Sequence, residues 1–495
     1  MSTDVVVVGG GPVGLMLAAE LRLGGAGVVL LERLSEPSRH SRAFRMQARM
    51  LDVLSQRGLL EQFTDGNRTW PKAHFAGLEP LLDFAHLGNE HPYALLIPQA
   101  RTEELLEKHA LALGVEIRRG HRLTGLDDAP DAAVCTVESP AGEYRLDCSY
   151  VVGCDGGRST VRKLGGVGFT GSTPTVRALL GDVELADPGQ LPNGVPGTMR
   201  TPAGLLMAIS VQPGVTRVLT TEFVAPEPGS ERQPVTLDEL RSTVRRITGR
   251  SIGLDRPQWL SRFTDTTRLA DRYRSGRVLL AGDAAHVHFP IGAQGLNLGL
   301  GDAVNLGWKL AAVIAGWAPP GLLATYEAER RPVAQRVLRE TRVQLALMDS
   351  DPKVDPLRET FSELLALPAV NSRLAHETTG LDVRYELPPG RYTHEVLGRP
   401  CPPLTGSVRD ETNALLRAGR GVLILPDGLE RAATAAAGWR HRVGVVEAKG
   451  PGLLLRPDGH VVWTTPGPGV PEGDAVLELA DALARWFGAE TSAQR

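Results

Sequence analysis

The chain is poor in cysteine, in net charge and in long apolar runs, and each shortage excludes something. Cys135, Cys148, Cys154 and Cys401 are the only four cysteines in 495 residues, and no two form a CxxC pair. A disulfide-stapled secreted fold is therefore excluded, and a reducing cytoplasm fits. Lys and Arg total 54 against 57 Asp and Glu, a formal charge of −3, so nothing draws the whole molecule toward nucleic acid or a membrane surface. Gly, Glu and Arg interrupt every apolar segment before the roughly 20 residues that a membrane span needs. The first strand begins at residue 4 without a basic stretch before it, so a soluble, unprocessed protein is expected. No repeat period is found, and the length implies more than one folding unit with ample apolar content for their cores.

What the chain does have is glycine placed after strands. Asp4-Val5-Val6-Val7-Val8 reads as a β-branched strand, and Gly9-Gly10-Gly11-Pro12-Val13-Gly14 leads from it into the helical pattern LMLAAELRLGG. Gly9 permits a tight turn, Gly11 lets backbone approach a pyrophosphate, and Gly14 lets helix and strand pack closely. A second strand, Val28–Leu31, ends at Glu32, 18 residues after Gly14, close to the roughly 20 expected for an acid that binds ribose. Far downstream, VLLAGDAAHVHFPIGAQGLNLGLGDAVNLGWKL spans residues 278–310. It is an apolar strand ending at Gly282-Asp283, a loop through Pro290, and a helix start at Gly295, Leu296 and Asn297. An Asp at a strand's end can accept from sugar hydroxyls, and unpaired amides at a helix start favour negative charge. Together the two segments point to FAD. His286 and His288 in this loop lack further ligand spacing and are expected to be structural, so no metal is assigned.

Between these segments the pattern changes several times. Residues 42–49 carry Arg42, Arg45 and Arg49 ahead of the helical MLDVLSQRGLLEQF, which Gly58 interrupts. Arg42 either reaches a phosphate or is solvated. LLIPQ ends a strand before the helix RTEELLEKHALALG, where Gln99 either bonds a polyol chain or faces solvent. Residues 115–152 alternate as a small antiparallel sheet would and run into a second strand-then-Asp-Gly site at Asp155-Gly156. From about Thr173 to Phe263, strand-like stretches with one helix at 236–248 suggest an inserted β-rich domain walling a substrate cavity. Phe75, Met199, Met207 and Phe223 are candidate wall residues, each equally at home in a plain core. Two helical segments follow residue 299, the second with Pro332 as an expected kink or break. A Pro-rich stretch at 385–405 precedes a small α/β unit.

The set GGGPVG, Glu32-Arg33, GCDGGRS, RVLLAGDAAHVHFPIGAQGLN and YEAERRP resembles the group A flavoprotein aromatic hydroxylases of the para-hydroxybenzoate hydroxylase fold. SRAFRMQAR, IPQ and LLRPDGHVVW are similar to the aromatic polyketide hydroxylases of anthracycline and angucycline pathways and to rifampicin monooxygenase. The resemblance implies an α/β chain with a discontinuous Rossmann-like FAD domain (1–172 and 269–388), an inserted β-rich substrate domain (173–268) and a thioredoxin-like C-terminal domain (389–495). It implies that Gly9, Gly11, Pro12, Val13, Gly14, Glu32 and Arg33 form the adenosine side of the FAD site. Arg42 and Gln99 would meet the phosphate and ribityl region, Asp155 the pyrophosphate or NAD(P)H, and Asp283 the ribityl hydroxyls. Pro290, Gly295, Leu296 and Asn297 would face the flavin ring.

The implied chemistry is reduction of FAD by NAD(P)H, with NADPH favoured, addition of O2 to give a C4a-hydroperoxide, and oxygen transfer to a polycyclic phenolic substrate. No catalytic side chain is assigned, because the cofactor carries the reaction. Two departures bear on substrate choice: Ala293 stands where the family usually has glycine, and Arg45 stands where a small residue is common. A halogenase is disfavoured by the missing WxWxIP motif. Baeyer–Villiger or rifampicin-type oxygenation and a non-catalytic flavin-binding role stay open, as does a homodimer.

Overall fold

In the computed structural model, the description covers residues 2–129, 131–190, 198–227, 229, 233–390, 392–426, 429–465 and 472–490. An eight-stranded sheet forms the centre. Its main path runs Arg274–Ser275, Val278–Leu280, Gly142–Gly153, Ser2–Val8, Val28–Glu32 and Glu116–Arg119. The four pairings from Val278–Leu280 to Glu116–Arg119 are parallel, and the first, with Arg274–Ser275, is antiparallel. Val5, Val6 and Val7 have no exposed surface, as expected of a strand covered on both faces. The helix Pro12–Leu23 covers one face and packs against the helix Gly295–Ile314.

Two expectations change here. Of the 115–152 stretch, only Arg122–Asp128, Ala133–Ser139 and the first part of Gly142–Gly153 pair antiparallel. Glu116–Arg119 instead extends the parallel sheet beside Val28–Glu32, because the intervening helix Gln99–Ala112 returns the chain in the same direction. Pro332 neither ends nor divides its helix, which runs unbroken over Ala324–Met348. Buried Glu329, Arg330, Val333 and Ala334 hold the turns on both sides of it, which outweighs the one missing N–H.

The second sheet is five-stranded and antiparallel, in the order Thr198–Thr201, Gly204–Gln212, Val215–Glu222, Arg177–Leu185, Leu254–Thr264. Side chains alternate across it with period two. Leu206, Val218, Leu179 and Val183 face the helix Leu237–Thr248. Leu205, Met207 and Ala178 face the opposite way, toward Phe75, Phe289 and Ile291. A third sheet, near the C-terminus, has the order Val443–Glu447, Gly421–Leu425, Leu453–Leu455, Val461–Thr464, with only its first pair parallel. Among the described residues no helix is long and apolar enough to cross a membrane.

Candidate functional site

The strand-end motifs come together along one edge of the central sheet, at the carboxyl ends of parallel strands where α/β folds bind ligands. Backbone bonds close this edge: Gly9 N–H donates to Leu31 O at 2.8 Å, Cys154 N–H to Val8 O at 2.8 Å, and Ala281 N–H to Gly153 O at 3.0 Å. Gly9, at φ 112°, sits so near Cys154 that a Cβ would lie 2.4 Å from its carbonyl oxygen. A Cβ on Gly14 would lie 1.9 Å from Gly9 O. Gly11, by contrast, faces open space, with nothing within 4 Å of where its Cβ would be. Glu32 arrives from the neighbouring strand and accepts from Gly10 N–H at 2.7 Å and Leu34 N–H at 2.8 Å. Its carboxylate keeps lone pairs for further donors.

The second half of the site lies across the first helix's N-terminus. Val13 touches both Gly282 and Gly299: a Cβ would meet it at 3.0 Å and 2.6 Å respectively, so both glycines allow the loop and the 295–314 helix to close on the first helix. Asp283 is exposed, with no hydrogen bond or ion pair among the described residues. Pro290 is exposed and Ile291 buried. The loop then turns through Gly292 at φ 69° and Ala293 at φ 53°, the position where glycine was expected. The helix begins at Gly295, so the amides of Gly295, Leu296 and Asn297 have no partners within it. The Asn297 side chain is fully used: Nδ2 donates to Ala293 O at 2.9 Å and Arg45 O at 3.2 Å, and Oδ1 accepts from Gln47 N–H at 2.8 Å. Gln47, buried, also donates to Gly292 O at 3.2 Å. The sequence reading missed Gln47; its only signal was a polar residue amid the arginines.

The remaining candidates separate. Gln99 spends its amide inside the protein, accepting from Ala43 N–H at 3.1 Å and donating to Glu103 at 2.7 Å. Burial raises the Glu103 carboxyl and the Gln99 bond opposes this. Arg33 and Arg42 are exposed. The Arg42 carbonyl accepts from Arg217, a buried side chain paired bidentately with Asp182 at 2.7 Å and lying over the rings of Phe44 and Trp259. Asp155 caps the short helix Thr160–Leu164, accepting from the Ser159 hydroxyl and from Thr160 N–H at 2.6 Å and Val161 N–H at 3.2 Å. Its carboxylate thus anchors the turn at the end of the 142–153 strand.

The wall candidates divide by strand alternation. Phe75 stacks on Phe361 at 5.3 Å and Phe263 meets Phe289 at 5.5 Å, with Met207 and Phe223 packed into the same aromatic cluster. Met199 pairs with Leu206 and faces the 237–248 helix, so it belongs to a different core. Arg45 reaches Lys72 O at 3.5 Å, and burial lowers its pKa to about 10. His74 lies beside Phe75 where the strand pairing is irregular, and burial together with Arg45 lowers it to about 4. His286 donates Nε2–H to Asp302 at 2.7 Å and His288 Nδ1–H to Phe289 O at 2.8 Å.

This edge suits a flavin dinucleotide: open backbone at Gly11, the carboxylates of Glu32 and Asp283 at strand ends, and free amides at a helix start. Comparison with known proteins agrees. Residues 2–341 match the FAD binding domain family, and residues 394–490 match the aromatic-ring hydroxylase C-terminal family. The chain belongs to the FAD-binding aromatic-ring hydroxylases. It is 46% identical over 511 residues to 12-dehydrotetracycline 5-monooxygenase/anhydrotetracycline 6-monooxygenase of Streptomyces rimosus, covering 99% of both chains. It is 45% identical to rifampicin monooxygenase of Streptomyces venezuelae, again over 99% of both. The solved anhydrotetracycline hydroxylase from Streptomyces rimosus aligns with a TM-score of 0.91 at 44% identity, over 99% of this chain and 100% of that one.

Proposed function

We propose that the protein is an FAD-dependent, NAD(P)H-consuming monooxygenase that hydroxylates a polycyclic phenolic substrate of aromatic polyketide type, with NADPH as the favoured donor. The observation that carries this reading is the aromatic cluster of Phe75, Phe223, Phe263, Phe289 and Met207 on one face of the five-stranded sheet, directly continuous with Ile291 of the flavin loop. Flat aromatic walls of this kind hold a fused-ring ligand and keep water from the reacting carbon.

Gly9, Gly11 and Gly14 would hold the pyrophosphate side of FAD, Glu32 the adenosine ribose and Asp283 the ribityl chain. Bound FAD, once reduced, would supply the activated oxygen from O2. The amides of Gly295, Leu296 and Asn297 would stabilise negative charge on the reduced ring by about 0.3–2 kcal/mol. The aromatic walls orient the substrate, and no side chain has to act as a catalytic acid or base. His74, held neutral well below pH 7, is no proton reservoir at physiological pH.

The division at 1–172, 173–268, 269–388 and 389–495 is part of the same reading. A thioredoxin-like C-terminal domain is supported by the strand order 443–447, 421–425, 453–455, 461–464, in which a parallel pair is extended by an antiparallel hairpin. The test is a visible spectrum of the purified protein, NADPH oxidation with a panel of polycyclic phenols, and product mass. A flavin spectrum, substrate-stimulated oxidation and a product one oxygen heavier support hydroxylation; fragmentation that reveals a lactone would replace it with Baeyer–Villiger chemistry. A colourless protein that takes up no added FAD overturns the reading.

A further inference from the structure

Beyond Asn297 in its first turn, the 295–314 helix is apolar except for one line of polar side chains: Asp302, Asn305 and Lys309 recur at helical spacing, and all three are buried. They meet Glu329 and Arg330, consecutive residues of the 324–348 helix. Glu329 accepts from Asn305 Nδ2 at 2.6 Å and Lys309 Nζ at 2.8 Å. It also accepts both outer nitrogens of Arg456, at 2.6 and 2.9 Å. Arg456 has no exposed surface, belongs to the hairpin turn of the C-terminal sheet, and is paired in addition with Asp458 and enclosed by Trp308, Tyr385 and Trp486. Arg330 turns the other way. It donates to Asp302 at 2.8 Å, Leu298 O at 3.0 Å and Tyr385 OH at 3.1 Å. Asp302 in turn accepts from His286 Nε2 at 2.7 Å and from Gly282 N–H at 3.1 Å.

The line ends on the residue preceding Asp283. We propose that Arg456, with Asp458 beside it, is a positioning residue of the cofactor site: through Glu329, Arg330 and Asp302 it sets the Gly282 amide and His286 on either side of Asp283, so the C-terminal domain governs flavin binding without touching it. The inference rests on the FAD reading above. It follows from the way the buried charges are arranged. Burial works against ionisation of Glu329, but Arg456 and Lys309 hold its carboxyl at about 2; burial likewise opposes ionisation of Asp302, and His286 and Arg330 hold it below the usual carboxylate range. Arg456 and Glu329 thus hold one another in place, as do Arg330 and Asp302, and the two pairs are joined by the helix backbone between Glu329 and Arg330 and by Tyr385, which accepts from Arg330 and lies under Arg456.

A second buried pair serves as control. Arg57 is held by Glu20 at 2.7 and 2.8 Å and donates to Leu416 O and Pro457 O, so it docks the same C-terminal region without leading to Gly282. The experiment compares Arg456→Lys, Arg57→Lys and Asp283→Ala, each stripped of FAD and retitrated for Kd, with the thermal midpoint of the apoprotein and the midpoint potential of the reloaded flavin. Lysine keeps the charge at 456 but cannot bridge Glu329 and Asp458 together.

The expected result is a Kd for FAD at least tenfold higher and a displaced flavin potential in Arg456→Lys. Arg57→Lys should lose comparable thermal stability with Kd and potential near the parent's. Equal effects in the two variants, in proportion to thermal loss, overturn the proposal, as does an Arg456→Lys Kd within twofold of the parent. If Arg456→Lys does not fold, Tyr385→Phe removes a single bond from Arg330; a Kd raised about threefold supports the line and an unchanged Kd overturns it. Unchanged FAD retention in Asp283→Ala refutes the assignment of Asp283 to the cofactor, and a protein that takes up no FAD refutes the cofactor reading; loss in Asp283→Ala with an unaltered Arg456→Lys refutes this inference alone.

Discussion

Asp283 and Ala293 are the residues whose environments make the sharpest demands. Asp283 stands exposed at a strand's end with no hydrogen bond or ion pair among the described residues, so its replacement costs the fold little. Asp283→Ala is expected to weaken FAD binding about 10–100-fold, the equivalent of roughly 1.5–3 kcal/mol for hydrogen bonds to a charged group, with the thermal midpoint of the apoprotein unchanged; fluorescence titration and a melting curve check both. Ala293 holds φ 53° in the loop before the helix start. A left-handed alanine is strained by about 1–2 kcal/mol, more than the roughly 0.4–1 kcal/mol of unfolded-chain freedom a glycine would add. Ala293→Gly should therefore leave the protein slightly more stable, read as a higher denaturation midpoint.

Elements show which parts of the site could be read along the chain. The strand–glycine–helix motifs were legible because each is a local order of strand, glycine turn and helix, even though the neighbours that require Gly9, Gly282 and Gly299 lie far off, at Cys154 and Val13. Asn297 and Gln47 stand 250 positions apart, and no periodicity connects them. The Asp302–Asn305–Lys309 line did leave a trace, as charges within an apolar helix, but its partners lie on other elements. Met199 and Met207 looked alike in sequence and are separated by register. Met199→Ala should cost about 2 kcal/mol of stability, at the low end for a methionine truncation, with substrate KM unchanged, whereas Met207→Ala should move KM; steady-state kinetics on both variants decides. In the 324–348 helix, burial raises Glu340 to about 7, with Arg336 lowering it and Glu377 and Asp382 raising it further. A folded-state pKa above the unfolded one means that stability is full below about pH 4.5 and falls as pH rises toward 7. Glu340→Gln should thus melt higher than the parent at pH 8 and alike at pH 4, measured by thermal denaturation across that range.

At the scale of the molecule, buried arginines join what the sheets leave separate. Arg217 bolts the 41–45 segment of the cofactor side to the five-stranded sheet through Ser41 O, Arg42 O and Asp182. Arg217→Met should cost about 3–5 kcal/mol, because Asp182 is left buried and uncompensated. Adding Asp182→Leu should restore most of that in a denaturant titration while leaving the 41–45 segment more open to trypsin at Arg42 and Arg45. None of this cross-linking could be read from the sequence, where the arginines are scattered and only the fold selects which are buried.

The order of the chain gives the cofactor edge a history. Its first wall is synthesised within the opening residues, while the strand Val278–Leu280 that completes the parallel sheet, and the helix start beyond it, emerge only after the whole five-stranded sheet has been made. Arg456 comes later still, beyond the 324–348 helix. Domains generally fold as they leave the ribosome, N-terminal parts first. Here the earlier half of the cleft must wait for the later one before it can acquire the flavin, so that a chain terminated before the 295–314 helix is released colourless.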